Sequence, residues 1–530
     1  MILPIYALEG RPLPPLWWAI PFAVIAFLFY RIISAVRDPL RHIPGPFLAR
    51  FTRLWLFRQY CRADYEKTDR KLHEKYAFLH ARYPFPTMQR IYTEYCIEFS
   101  GPIVRIAPGQ YSIDSLDAAK TIYGHGSHFA KNEWYVPWGN PALGNLFNEL
   151  NPKVHSAMRR QVANVYSMSN MVSYEPYVDE CTDIFAKRFT EFSENGRVID
   201  LGHWFQCYAL DVIGKITFSK RFGCLDDGGD PQGVIKALDE VLTFSTTVGV
   251  YPRLFPFFFN ILKYLGSGGE PRGNAYLVKF ATDQVAASRL EEKPKDGPQD
   301  FISKLVQTQR ERPETVDDAC ILTAGTTNIG AGSDTTAISL SGIMYYLCKN
   351  PRTLEKLRKE LDDAEAEGSI SDPITFREAQ ALPYLQAVIK ESLRLHPATG
   401  LTMPRVVPEG GRQLAGSFFP AGNVVGINAW IAHHNKEVFG HDADDFRPER
   451  WIDSSKEQKS DMESYFFAFG QGSRTCIGKN ISLLEVSKAI PRVVQNFDVI
   501  LEKEDDWKCT NYWFVKPRDF FVRIKKRGSC

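Results

Sequence analysis

The sequence lacks the cysteine patterns that cross-link small secreted proteins or hold structural zinc. Its ten cysteines are spread over 530 residues, with no C-x-x-C pair and no cluster. In a chain of this length, that spread argues against a disulfide framework and a zinc ribbon, and for reduced thiols in a cytosolic compartment. A single cysteine can still carry chemistry.

The sequence also lacks a large excess of positive or negative charge. Lysine and arginine number 64 and aspartate and glutamate 62, which gives a formal net charge of +2 at pH 7. No overall basic field would hold a nucleic acid, and no acidic excess points to a polycationic partner. We therefore expect no nucleic-acid partner.

Internal repeats and low-complexity tracts are absent too, which excludes solenoids and propellers. Hydrophobic residues make up 44% and charged residues 24% of the chain. These fractions are typical of globular proteins and exclude collagen-like, mucin-like, disordered and multi-span membrane chains. Length alone allows three to four domains or one large one.

One long uncharged run lies near the amino terminus. Residues 12–30 carry no charge and are nearly all apolar, and a helix from there to Val36 is long enough to cross a hydrocarbon core of about 30 Å. A cleaved signal peptide is the alternative, but Tyr30 and Arg31 stand where an A-x-A-like cleavage site would be needed. We predict a transmembrane signal-anchor helix over residues 16–36, preceded by a lumenal segment over residues 1–15.

The charges around this run predict its orientation. One basic residue, Arg11, precedes it closely, whereas Arg31, Arg37, Arg41 and Arg50 follow it. By the positive-inside rule, the bulk of the chain then faces the cytosol. Residues 37–50, which contain Pro-Gly-Pro at positions 44–46, are predicted to form a stiff basic hinge.

Most of the remaining chain has helical patterns. The clearest long helix is predicted from about Thr315 to Asn350, and a second from about Pro383 to His396. Short β-branched runs over residues 103–106 and 423–427 predict a minor strand component. The aromatic stretch over residues 251–265 is compatible with core packing or with a surface that dips into a membrane.

One cysteine differs from the others in its setting. Residues 469–478 are Phe-Gly-Gln-Gly-Ser-Arg-Thr-Cys-Ile-Gly, so that Cys476 follows two glycines and an arginine. Glycines allow a flat ligand to approach the backbone, and a nearby cation and free amides favour a thiolate. Nothing in this segment supplies the base that a nucleophilic cysteine needs. Ligation of haem iron by a single thiolate fits better.

These ten residues match F-x-x-G-x-R-x-C-x-G, and the chain thereby resembles the cytochrome P450 monooxygenases. The runs over residues 396–401, 404–411 and 430–451 look most like those of the microsomal filamentous-fungal members. The resemblance implies a single large, mainly α domain with a minor β part over residues 51–530. It also implies that Cys476 is the axial ligand of haem b, that Arg474 contacts a haem propionate, and that Phe469 and Gly478 belong to the same loop.

The long helix contains Ala331-Gly332-Ser333-Asp334-Thr335-Thr336, which resembles the family's oxygen-activation motif. The resemblance implies that Ala331 and Gly332 open a groove for O2. It also implies that Asp334 and Thr335 pass protons towards it. Close helix packing is the alternative reason for the glycine.

Further matches concern structure and the propionates. The resemblance implies a structural network of Glu391, Arg394 and Arg450, and a propionate contact by Arg405. His155 and Arg159, at i, i+4 spacing, resemble another propionate pair, but a solvated basic face with Lys153 and Arg160 is nearly as good an interpretation. Both can hold, since such a face would suit an acidic reductase surface.

One segment departs from the family. Residues 77–100 intervene where related chains pass directly from a helix ending near Tyr76 to the first strand, which indicates a surface insertion or a retained intron.

The resemblance implies a monooxygenase of the endoplasmic reticulum membrane that acts on a small lipophilic substrate, a tailoring step in fungal natural-product biosynthesis. Electrons would come from NADPH through a cytochrome P450 reductase, with cytochrome b5 as an optional second donor. The alternatives are a reductase-independent haem-thiolate isomerase or dehydratase, and a non-catalytic membrane haem carrier or sensor.

Overall fold

The computed structural model describes most of the chain. The described residues are 19–82, 102–139, 144–230, 233–262, 264, 272–290, 299–503 and 507–528. Within them, helices dominate and strands form small sheets, so the prediction of a mainly α protein with a minor β part is confirmed.

The helices are numbered in chain order. They are α1 (Ala19–Arg37), α2 (Leu54–Cys61), α3 (Tyr65–Arg82), α4 (Leu116–Tyr123), α5 (Pro152–Val162), α6 (Met168–Asn195), α7 (Leu201–Phe218), α8 (Cys224–Asp227), α9 (Val234–Val248), α10 (Phe255–Leu262), α11 (Arg272–Leu290), α12 (Phe301–Glu311), α13 (Asp318–Lys349), α14 (Pro351–Ala366), α15 (Phe376–Ala381), α16 (Pro383–Leu395), α17 (Ala429–Ala432), α18 (Lys436–Phe439), α19 (Arg450–Asp453), α20 (Lys456–Ser464) and α21 (Lys479–Asn496).

The strands belong to small sheets. They are β1 (Ile103–Ala107), β2 (Gln110–Ile113), β3 (Ala130–Lys131), β4 (Val198–Asp200), β5 (Arg405–Val406), β6 (Arg412–Leu414), β7 (Ser417–Phe419), β8 (Val424–Gly426), β9 (Phe497–Leu501), β10 (Lys508–Tyr512), β11 (Phe514–Arg518) and β12 (Phe521–Lys526). The largest sheet has the order β1-β2-β8-β5-β3, and β2 and β8 pair in parallel. Strands β10 and β11 form an antiparallel hairpin.

The core of the helical part is built around α13. This helix packs along α7 and against α21, and α21 in turn packs against α6. The side chain of Asp317 caps α13 by accepting a hydrogen bond from the amide of Cys320, so the helix begins three residues later than Thr315. Pro351 follows its end. A large buried apolar cluster is shared by these four helices.

Helix α3 runs into the segment that is predicted to be an insertion. The prediction starts this insertion at residue 77, and α3 continues to Arg82. The first six residues of the predicted insertion therefore extend an existing helix. Residues 83–100 lie outside the described residues.

Helix α1 covers most of the predicted anchor, and residues 16–18 of that prediction lie outside the described part. Its apolar side chains are exposed, including Phe22, Phe27 and Phe29. Among the residues that the structure describes, no helix is both long and apolar enough to cross a membrane. The transmembrane span thus stays a prediction.

Candidate functional site

Residues 469–478, the cysteine loop, fold back on themselves ahead of α21. The amide of Cys476 donates to the carbonyl of Phe469 at 2.7 Å, and the Thr475 hydroxyl donates to the same carbonyl at 3.1 Å. Gly472 has a φ of +61°, and a Cβ there would collide with the carbonyl of Tyr123. Only glycine fits at this position, which explains one fixed residue of the motif.

A buried histidine positions the start of the loop. His433 Nδ1 donates to the carbonyl of Arg394 at 2.7 Å, and His433 Nε2 accepts from the amide of Phe467 at 2.7 Å. Burial lowers the pKa of His433 to about 3, so the ring is neutral and can accept on one nitrogen while it donates on the other. The sequence analysis missed this residue, because no local pattern marks it.

Cys476 is an exposed residue at the end of the cysteine loop. The thiol is accessible, although the protein surrounds it so closely that burial raises its pKa. The amides of Gly478 and Lys479 and the charge of Arg159 act in the opposite direction. The expectation that the neighbouring arginine and free amides would favour a thiolate is therefore corrected on two counts: the assisting arginine is Arg159, and burial outweighs it. Metal coordination would deprotonate the thiol outright.

Four basic side chains and one histidine, neutral near pH 7, gather beside the cysteine loop, and we call these five residues the cation cluster. They are Lys131, His155, Arg159, Arg405 and Arg474, and none of them forms an ion pair with a carboxylate in the described part of the chain. Burial and the charges of Arg405 and Arg474 lower the pKa of Lys131 well below its ordinary value. Burial, Arg474, Lys131 and two further arginines lower that of His155 to about 3.

The arginines of the cluster are held by backbone carbonyls. Arg159 donates to the carbonyl of Thr475 at 2.8 Å, and Arg474 donates to that of Glu149 at 2.8 Å. The guanidinium of Arg405 lies over the rings of Tyr123 and Tyr135. These neutral partners fix the geometry, and Glu149 offsets the charge of Arg474 only in part, so most of the positive charge stays uncompensated. The cluster is therefore suited to bind an anion.

Lys131 is a site residue that the sequence analysis missed. It lies in β3, is 8% exposed, and donates to the carbonyl of Phe147 at 2.5 Å. Its ammonium group also lies 4.3 Å from the ring centre of Tyr135 and 4.4 Å from that of Phe147. A lysine in a two-residue strand carries no motif, so only the tertiary contacts reveal it.

The middle of α13 presents an open face on a helix that is otherwise largely buried. Ala331 is exposed and Thr335 is half-buried there. The Thr335 hydroxyl donates to the Ala331 carbonyl at 2.7 Å. The next residue, Thr336, is buried and donates to Ser482 of α21 at 3.3 Å, so this part of α13 packs against the helix that directly follows the cysteine loop.

Asp334 does not lie with Thr335. Adjacent residues on a helix are turned by roughly 100°, and the Asp334 carboxylate is buried on the other side, against Gln206 and Lys516, with Lys516 Nζ 3.0 Å from Oδ1. Burial raises its pKa, and Lys516 counteracts this effect. The structure thus shows no direct contact that would pass a proton between the two predicted catalytic side chains.

Gly332 has a packing role. A Cβ at this position would come within 2.8 Å of Ile213 of α7, so glycine is required for the two helices to approach. Of the two explanations given for this residue, close helix packing is the one that the contacts support. Of Ala331 and Gly332, only Ala331 borders the open face.

Glu391, Arg394 and Arg450 meet in one fully buried network. Glu391 Oε1 accepts from Arg394 Nη2 at 2.8 Å and from Arg450 Nε at 2.9 Å, and its other oxygen accepts from Trp451 Nε1 at 2.9 Å. These arginines lower the pKa of Glu391 against the effect of burial. The network contacts neither Cys476 nor Thr335, which fits a structural role.

The residues present fit a haem. Cys476 is exposed, a Cβ at Gly478 would lie 3.9 Å from its sulfur, and the cation cluster keeps an excess of positive charge that two propionates would balance. Cys476 would hold the iron, and the cation cluster would hold the propionates. These ligand roles remain predictions.

Comparison with known proteins agrees with this geometry. A family model described as Cytochrome P450 matches residues 78–523, and the chain belongs to this family and is an oxidoreductase of the monooxygenase class.

Among its relatives is a pisatin demethylase of Fusarium vanettenii, 40% identical over 96% of this chain and 95% of that protein. A cytochrome P450 monooxygenase of Aspergillus terreus is 35% identical over 90% of this chain and 95% of its own length. Another, from Emericella nidulans, is 35% identical over 96% of this chain and 97% of its own length.

We predict that Lys131→Met weakens haem retention. Losing one charge-assisted hydrogen bond to a propionate should speed haem transfer to apomyoglobin by about tenfold. Lys153→Met is the matched control, because this lysine is exposed on α5 outside the cluster. Equal transfer rates for the two variants would contradict the assignment.

Proposed function

We propose that the protein inserts one oxygen atom from O2 into a small lipophilic substrate as a tailoring step in fungal natural-product biosynthesis. Hydroxylation, epoxidation, demethylation or a multi-step oxidation all belong to this class of reaction. The observation that carries the proposal is the accessible, enclosed Cys476 thiol beside uncompensated cations and an open face of α13. The names of the relatives support the biosynthetic context.

The chain supplies positioning and proton handling. A haem bound through a thiolate would supply O2 activation, since this ligand favours O–O cleavage. The amides of Gly478 and Lys479 hold the sulfur in place. Thr335 Oγ1 borders the open face, and by turning away from the Ala331 carbonyl it can hold a proton there.

Asp334 acts on Thr335 indirectly in this proposal. Its Oδ1 is bound by Lys516, and its Oδ2 has no hydrogen-bond partner in the part of the chain that is described. A buried carboxyl group with a raised pKa and a free oxygen can take up a proton and release it after its side chain rotates.

Electrons would arrive at the cysteine side from NADPH through a cytochrome P450 reductase. Lys153 and Arg160 are exposed on α5, and Lys479 is exposed at the start of α21. The Arg159–Thr475 hydrogen bond fixes α5 to the cysteine loop, so this basic face lies next to the proposed iron ligand. Positive charge here would attract an acidic reductase or cytochrome b5 surface.

A membrane of the endoplasmic reticulum is the proposed location, with the catalytic domain in the cytosol. Beyond α1, exposed apolar side chains at Phe47, Leu48 and Leu54, and at Phe257 and Phe258, form an apolar edge. Two contacts bring its parts together: Arg53 donates to the Val250 carbonyl at 3.2 Å, and the rings of Phe57 and Tyr251 lie 5.9 Å apart. A lipophilic substrate could enter from the bilayer near this edge.

The function predicts reductase-dependent oxygen insertion. Protein co-expressed with a reductase should show the thiolate-type Soret shift on CO binding, and with NADPH and isotope-labelled O2 it should label one product in a panel of fungal lipophilic metabolites. Thr335→Ala should lower product per NADPH by about 100-fold and divert electrons to peroxide.

Thr326→Ala is the matched control for that variant. Its hydroxyl makes the same kind of intrahelical hydrogen bond, to the carbonyl of Leu322 at 3.0 Å. It lies on the opposite side of α13 from Thr335. NADPH-independent turnover would identify an isomerase or dehydratase instead. Absence of the thiolate-type shift would identify a carrier or sensor.

Charge reversal tests the docking face. Arg160→Glu should raise the reductase concentration needed for half-maximal turnover several-fold at low salt, and the difference should shrink at high salt because the attraction is screened. The CO spectrum should not change. Lys279→Glu, at a side chain 74% exposed on α11, is the control. Unchanged reductase-driven turnover of Arg160→Glu would rule out docking at this face.

Glycosylation mapping tests the anchor. An N-glycosylation acceptor placed ahead of Met1 should be modified when the full chain is made with microsomes, whereas one placed after Cys530 should stay unmodified. The protein should resist carbonate extraction. Modification of the carboxy-terminal acceptor, or release by carbonate, would contradict the predicted anchor.

A further inference from the structure

Two buried carboxylates on α3 take no part in the site described above. Glu66 and Asp69 are spaced i, i+3 and so lie on one face of the helix, and they are 1% and 0% exposed. Neither forms an ion pair with a lysine or arginine in the described part of the chain. Burial of a carboxylate without a cation is costly, so a specific reason is needed for two of them in adjacent turns.

Both carboxylates bind asparagine amides that converge on one carbonyl. Asn511 Nδ2 donates to Glu66 Oε2 at 2.6 Å and to the Gly400 carbonyl at 3.0 Å. Asn428 Nδ2 donates to Asp69 Oδ2 at 3.1 Å and to the same carbonyl at 3.2 Å. Helix α3 thereby holds the loop at residues 399–404 through two parallel bridges.

The same bridges hold the turn of the β10–β11 hairpin. Asn511 belongs to β10, and its backbone N–H donates to the carbonyl of Ala63, just ahead of α3, at 2.8 Å. The amide of Gly400 donates to the Trp513 carbonyl at 2.9 Å. Trp513, the residue at the turn, has a φ of +79°, which a bulky side chain adopts only where its surroundings enforce it.

Trp513 completes a group of five aromatic rings that we call the aromatic wall. Its members are Trp134, Tyr135, Trp138, Phe147 and Trp513, and the ring of Trp513 lies 5.1 to 6.2 Å from the other four. Two of the rings, those of Tyr135 and Phe147, also flank Lys131.

The loop at residues 399–404 runs directly into Arg405 of the cation cluster. The wall and the loop thus border the proposed haem site at its propionate edge.

Stability alone does not account for the network. Glu66 Oε1 and Asn511 Oδ1 are buried without a hydrogen-bond partner among the described residues. Half-satisfied polar networks are worse for folding than apolar packing of the same volume. A role in holding the loop and the strained turn explains why such a network is kept.

We propose that Glu66 and Asp69 are positioning residues that fix the aromatic wall through Asn511, Asn428 and the Gly400 carbonyl, and thereby set how a flat, ring-containing substrate lies over the haem. The proposal rests on the proposed oxygenase function. These carboxylates touch no substrate themselves, since the asparagines, the loop and the turn lie between.

Another buried carboxylate offers a matched control. Asp114 accepts from Asn435 Nδ2 at 3.0 Å and from the Tyr465 hydroxyl at 2.7 Å, so it has the same kind of partners. Burial raises the pKa of Asp69 and of Asp114 alike to about 6. Tyr465, however, belongs to a second apolar core that does not contain the aromatic wall.

Hydrogen exchange of the full-length protein locates the effect. Glu66→Leu, Asp69→Ala and Asn511→Ala should each speed amide exchange in peptides covering residues 399–404 and 511–514 by about tenfold. Asn511→Ala cuts the bridge from the hairpin side, in case a change in α3 hinders folding. Glu66→Gln keeps an oxygen that can accept the hydrogen bond, so exchange in this variant should be as slow as in the unaltered protein. Asp114→Leu should leave these peptides unchanged.

Ligand binding separates positioning from general stability. The probes are imidazole, which reaches only the iron, and 4-phenylimidazole, whose phenyl ring extends from it. The three disruptive variants should weaken 4-phenylimidazole binding by about tenfold in spectral titrations and leave imidazole within about twofold, with rescue by Glu66→Gln. Asp114→Leu should change neither affinity.

Two results would overturn the proposal: unchanged exchange in both peptides, or faster exchange with unaltered 4-phenylimidazole affinity. Failure of the proposed function itself has a different signature. The unaltered protein would then lack the thiolate-type CO spectrum, while the exchange measurement would still report on the network.

Discussion

The buried carboxylate of Glu391 organises the cysteine side of the molecule. It accepts five hydrogen bonds, two from Arg394 and one each from Arg447, Arg450 and Trp451. Breaking such a buried pair by removing one partner costs about 3–5 kcal/mol, because the other charge is left stranded. The Arg394 carbonyl then fixes His433, and His433 fixes the Phe467 amide two residues ahead of the cysteine loop. The position of the proposed iron ligand is thus set by a hydrogen-bonded network whose central carboxylate, Glu391, lies 85 residues upstream in sequence.

The cation cluster differs from the Glu391 network in that its cations form no ion pair with a carboxylate in the described part of the chain. An anion would balance its charge. Lys131, Arg405 and Arg474 lie close enough for the arginines to depress the pKa of the lysine, and the oxygens that bind these side chains belong to carbonyls and a phenol. The mutual repulsion is a cost to the folded chain that the predicted binding of haem propionates would relieve. Because a ligand that binds only the folded state stabilises it, haem would act as part of the fold as well as of the site.

Sequence reasoning succeeded where a function needs fixed spacing along the chain. The order of glycine, arginine and cysteine in residues 469–478 led to the family, and the periods of α13 and α16 predicted both helices to within three residues.

Sequence reasoning failed where the spacing between residues is set by tertiary packing. Lys131 and His433 reach the site from distant segments with no local signal. The placement of Asp334 away from Thr335 follows from the helical turn, yet its bond to Lys516, 182 residues away, could not be foreseen. Nor does any pattern show that α3 continues past Tyr76.

The two buried networks divide the site into a fixed half and an adjustable half. Around Glu391 both carboxylate oxygens accept hydrogen bonds from buried partners, so a substitution there carries a large free-energy penalty and the thiol side is expected to stay constant. Around Glu66 and Asn511 some oxygens stay unpaired, and these groups meet the loop and the strained Trp513 turn rather than the haem ligand. In our proposal, substitutions on that side would shift the aromatic wall without moving the predicted iron ligand, Cys476. One fold can in this way keep a single chemistry while the side that would meet the substrate changes.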